Sequence, residues 1–168
     1  MADKKEESWF AADYEAPEEV SAFMKLEDGD NNFRILSPLV TGFEYWTEDN
    51  KPVRSKVKWD TTPDNIKKRD GKPTAVKHFW LFLVYNYKAK QVQSLEVTQS
   101  TIQKALTALI DNPRWGNPTK FDITINRTGK ELLTKYAVVP NPQSDVTPEM
   151  TAALEASTID LQEIFKQD

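Results

Sequence analysis

The sequence predicts an all-β core with added helices. Three observations carry that expectation. Strand-length apolar runs recur along the chain, as in "FRILSP", "KHFWLFLVYNY", "KFDITIN" and "LLTKYAVVP". Turn residues separate them. Only one segment in the middle of the chain, residues 100–111, has helical spacing. A parallel α/β sheet would need repeated strand–helix alternation, which is missing.

Each element follows from its residues. Residues 1–22 are polar and acidic, with Trp9, Phe10 and Tyr14 among them, and read as a flexible arm. "LEDGDNN" is a turn. Asp28 and Asp30 hint at a calcium loop, but Phe33 and Leu39 stand where its glycine and final glutamate belong. A first strand runs from Asn32 to about Trp46, broken near Pro38 and Gly42, as suits a strand bending round a small barrel. In the long loop 47–76, "KPVRSKVKW" alternates: Val53, Val57 and Trp59 face one way, Arg54, Lys56 and Lys58 the other. "TTPDNIKKRDGKPT" is cationic and turns at Asp70-Gly71.

Residues 77–87 and 91–98 form a hairpin turning at Lys88-Ala89. Its first strand is apolar on both faces, so either protein covers both or a ligand covers one. Phe79, Leu81 and Leu83 read as interior; His78, Trp80, Phe82, Asn86 and Lys88 read as the open face. In the helix, Ser100 and Gln103 form a capping-box pattern, Ile102, Leu106, Leu109 and Ile110 share a face, and Pro113 ends it. Phe121, Ile123 and Ile125 point inward from a fourth strand, and a turn at 126–130 leads to a fifth. After a linker, residues 148–157 and 158–166 read as short helices. The last is amphipathic through Ile159, Leu161, Ile164 and Phe165.

Five strands with a helix between the third and fourth is the order of the OB-fold. That Greek-key barrel binds oligonucleotides on its strand 2–3 face and through the loops joining strands 1–2 and 4–5. The expected organisation is an arm over 1–22, an OB-fold domain over 23–142, and an acidic helical tail over 143–168.

Composition narrows the function. The 168 residues include no cysteine, one histidine and no apolar run near the length of a membrane span. Disulfides and cysteine-ligated zinc are excluded, and a reducing cytoplasm is the simplest compartment. No metal or cofactor is expected. Without a cysteine nucleophile, a glycine-rich phosphate loop or a metal constellation, the chain is not expected to be an enzyme. The net charge of −4 hides an asymmetry. Residues 1–30 carry ten acids against three lysines, and residues 51–90 carry eleven Lys/Arg against three aspartates. Residues 141–168 carry six acids against one lysine. A cationic surface flanked by acidic ends points to a polyanion.

Single-stranded nucleic acid needs cations for phosphates and rings for bases. The candidate phosphate contacts are Arg34, Arg54, Lys56, Lys58, Lys67, Lys68, Arg69, Lys72, Lys77, Lys88 and Arg127. The candidate stacking residues are Tyr45, Trp46, Trp59, His78, Trp80 and Phe82. Each ring has a competing structural reading: Trp59 shares parity with Val53 and Val57, the loop could cover Phe82, and Trp80 could be core. Trp115, in "PRWGNP", reads as a packing anchor.

The segments "KHFWLFLVYNY", "LEVTQSTIQKAL", "WGNPTKFDITINRTGKE" and "TKYAVVPNP", with "FRILSP", closely resemble the single-stranded DNA-binding proteins of tailed bacteriophages. This OB-fold group is related to the helix-destabilising protein of T-even phages. The resemblance covers roughly residues 20–142. It implies sequence-independent binding of single-stranded DNA in phage replication, recombination and repair, in the cytoplasm of the infected bacterium. Phage or host replication and recombination proteins would be partners through the tail. This chain lacks the residues for the T-even protein's zinc-bearing insertion, and its tail is only modestly acidic. Two other readings stand beside this one: a protein-interaction module recruiting replication enzymes, and an RNA-binding OB-fold protein.

Overall fold

The computed structural model describes Trp9 and residues 21–166. Most of the expected arm over 1–22 lies outside the described residues. The order of strands and helices is β1 (Gly29–Ile35), β2 (Val40–Trp46), β3 (Pro52–Ser55), β4 (Lys68–Arg69), β5 (Lys72–Pro73), β6 (Lys77–Asn86), β7 (Gln91–Val97), α1 (Ser100–Asp111), β8 (Phe121–Thr128), β9 (Lys135–Gln143) and α2 (Pro148–Ala156).

The main sheet is antiparallel, in the order β3-β2-β6-β1-β8-β9, with β7 also on β6. The first half of β6 pairs with β2, from Val40↔Leu81 to Glu44↔Lys77. Its second half pairs with β1, from Ile35↔Val84 to Phe33↔Asn86. Thus β1 and β2 are one strand bent at Pro38, as the sequence predicts. At the bend the Ser37 hydroxyl accepts from the Leu83 amide at 2.8 Å, filling the gap in the ladder.

The sheet is not closed into a barrel, which corrects that part of the expected fold. Residues Ala22–Met24 lie along β7, where the Met24 and Ser94 amides bond the Ser94 and Ala22 carbonyls. Helix α1 packs against β9. The β7 edge is therefore occupied by residues 22–24. Among the described residues no helix is long and apolar enough to cross a membrane.

The principal core joins Phe33 and Ile35 of β1, Phe82 and Val84 of β6, Leu95 and Val97 of β7, Ile102 and Leu106 of α1, and Phe121, Ile123 and Ile125 of β8. Phe82 thus faces inward, which corrects its expected place on the open face, while Phe79 and Leu81 are buried as expected. The opposite face is sealed as well. Met150 of α2 packs with Tyr85, Val92 and Leu83, and Phe165 packs on Phe79 with ring centroids 5.8 Å apart. Protein covers both faces of most of this strand, leaving Trp80 half-buried, and the C-terminal segment supplies the second cover.

Three local expectations change. The strand expected through Trp59 stops at Ser55, whose hydroxyl accepts from the Val57 amide and turns the chain. The capping box does not form: Gln99 is the N-cap, and the Gln103 amide donates to the carbonyls of His78 and Val97. Helix α2 forms as expected, capped by Thr147, whereas the segment after it is a 3-10 turn at Leu161–Phe165.

Candidate nucleic-acid interface

The cationic loop is held by few anchors. Ile66, buried at the loop's base, is bridged to Thr47, and the Lys67 amide donates to the Trp46 carbonyl at 2.7 Å. Asp70 and Gly71 both adopt positive φ, 55° and 76°, as a tight two-residue hairpin turn requires. The short β4–β5 hairpin so formed stands beside the end of β2. Between them lies an open groove of about 730 Å³, lined by Trp46, Lys67, Arg69, Asp70, Lys72 and Lys77 among others. Trp46 is 41% exposed. Lys67 donates to the Asn50 side-chain carbonyl at 2.7 Å. Among the described residues, none of these four cations makes an ion pair. Lys68 is exposed on the same hairpin, outside the groove lining.

A second set of rings lies on the other face of the β2–β3–β6 ladder. Phe43 and His78 are paired across β2 and β6 with centroids 4.9 Å apart. His78 is exposed, and its Nδ1 lies 2.9 Å from the Gly42 carbonyl. A carbonyl only accepts, so this contact places a proton on Nδ1. His78 and the half-buried Trp80 border a cleft of about 330 Å³ against Gln103 and Lys104 of α1. Trp59 meets Tyr45 edge-on at 4.8 Å.

Several expected contacts are placed elsewhere. Arg34 is 1% exposed; its Nε donates to Asp122 at 2.6 Å and its terminal nitrogens to Thr119 and Ser144. It is a structural ion and no phosphate reaches it. Phe82 is core, and Tyr45 is 6% exposed with its hydroxyl donating to Asn65, so neither offers a face to a base. Arg54 is held by two carboxylates, Glu44 at 3.0 Å and Glu96 at 3.4 Å. Burial and the neighbouring Glu44 push the Glu96 carboxyl up to about 7, against the opposing pull of Arg54. Lys56 lies 5.4 Å from the centre of the Phe165 ring, and Lys58 is exposed beyond the end of β3. Lys88 pairs with Glu27 at 2.6 Å, and Arg127 lies 3.8 Å from Asp28 while donating to the Leu26 carbonyl. Both stand at the far end of β1 from Trp46.

Of the expected strip, Arg54 is held by carboxylates while Lys56 and Lys58 stay exposed; Lys67, Arg69, Lys72 and Lys77 gather separately around Trp46. The sequence alone does not single out Lys104. Its signal is its place on the polar side of α1, opposite Ile102 and Leu106. Comparison with known families, curated proteins and solved structures finds no match for this chain.

Proposed function

We propose that the chain binds single-stranded DNA without regard to sequence and acts in phage DNA replication, recombination and repair. The observation that carries this reading is the open ring of Trp46 beside Lys67, Arg69, Lys72 and Lys77 in one groove. A base stacked on that ring and phosphates met by those cations are the two contacts that single strands need. The cleft at His78, Trp80 and Lys104 offers a second place for a base.

The strand order further supports an OB-type core. With the bent β1–β2 counted once, the long strands run β7, β6, β1–β2, β8, β9. The Trp46 groove then belongs to the loop between the first two strands, where such a fold meets its ligand. A ligand that binds only the separated strands shifts a duplex toward them. The test is a tryptophan-fluorescence titration with oligo-dT and oligo-U. The reading expects saturable quenching by oligo-dT that weakens with salt; an unresponsive spectrum and no bound oligonucleotide would refute it. Equal or tighter binding of oligo-U would point to RNA instead.

A further inference from the structure

The turn between β8 and β9 presents two leucines to water. Leu132 is fully exposed and Leu133 is 76% exposed. Nothing among the described residues covers either. The backbone beneath them is nonetheless well defined. Residues Glu131–Leu133 form a 3-10 turn in which the Leu133 amide donates to the Lys130 carbonyl at 2.9 Å and the Thr134 amide to Glu131 at 3.1 Å. Gly129 has φ of 80°, and a Cβ there would overlap the Leu133 carbonyl. Glu131 has φ of 51°, a conformation rarely adopted by a residue with a long side chain. The strand ladder continues to the Thr128↔Lys135 pair at the base of the turn. A structured turn thus holds two branched apolar side chains outward.

Cations frame this tip. Lys130 and Lys135 flank the leucines, both exposed and neither in an ion pair among the described residues. Glu131 is the one acid on the turn. An apolar point between two positive charges complements the end of a base stack framed by its phosphates. Leucine is among the side chains that enter base steps and unstack them. The turn stands at the Gly29 end of the bent β1–β2 strand, where Gly29 pairs with Arg127, and the Trp46 groove stands at its other end.

We propose that Leu132 and Leu133 form an apolar wedge that enters the stack where single strand meets duplex. This rests on the single-stranded DNA reading and adds a second binding site to it. The groove holds the unpaired strand at one end of β1–β2, and the wedge opens the pair at the other.

The test uses the full chain and a forked duplex carrying 2-aminopurine at its first paired step. Leu132→Ala combined with Leu133→Ala is expected to leave oligo-dT affinity within about twofold and to lower fork opening about tenfold, the loss of one wedge contact. Leu132→Met combined with Leu133→Met, which keeps an apolar point, is expected to restore most of the opening. Normal oligo-dT binding with undiminished opening in the alanine variant would overturn the wedge alone and leave the tip as a protein-docking point. Absence of oligo-dT binding by the unaltered protein would overturn the reading beneath it.

Discussion

The Phe165 ring lies 5.8 Å from that of Phe79, inclined by 43°, and joins the last turn of the chain to the start of β6. The contact explains why a strand with rings on both faces needs no ligand to bury them. Phe79 is fully buried and Leu81 nearly so, while Lys56 stands 5.4 Å over the outer ring. Phe165→Ala is expected to lower stability by about 1–3 kcal/mol, the range for a partly buried ring lost from a packed surface. It is also expected to raise binding of a hydrophobic dye as Phe79 becomes accessible. Thermal melts and dye fluorescence check both.

Arg34 tests the boundary between structural and ligand-binding cations. Its guanidinium is buried against Asp122, Thr119 and Ser144. Arg34→Met leaves Asp122 without its counter-charge and should cost about 3–5 kcal/mol in a denaturant titration. The variant that remains folded should bind oligo-dT with an unchanged salt slope.

How much of this was legible in the sequence follows from such residues. Helix α1 and the β6–β7 hairpin follow from apolar spacing and turn residues, and the Asp70-Gly71 turn from the chemistry of its two residues. The inward face of β6 is not legible, because rings and aliphatics occupy both parities and only the remote Phe165 and Met150 show that neither is free. Arg34 reads as a surface cation until Asp122, 88 positions later, is brought beside it. Of the cationic loop, the sequence supplies the charge, while the bridge between Thr47 and Ile66 decides which lysines reach Trp46.

Glu96 gives a pH dependence. Its folded carboxyl titrates at about 7, above the ordinary carboxylate value expected of the unfolded chain. The folded state therefore holds the proton more tightly than the unfolded chain between those two values. The stabilisation is fully present below the unfolded value and is lost as pH rises toward about 7. Glu96→Gln should flatten this part of the melting-temperature profile between mildly acidic and neutral pH. An identical profile in the variant would contradict the assignment.

Trp46→Ala should separate stacking from charge. The ring is exposed, so the fold should be little affected. Affinity for oligo-dT should fall by about 1–3 kcal/mol, with the salt slope unchanged. Competition binding at two salt concentrations measures both quantities.

The central claim is most directly tested by the salt dependence of oligo-dT binding, measured for the unaltered protein and for a variant with Lys67, Arg69, Lys72 and Lys77 changed to Ala. Four phosphate contacts predict a slope of log K against log salt of about −3, and a nearly flat line for the variant. Parallel lines for the two proteins would contradict it, because the phosphates would then be met somewhere other than beside Trp46.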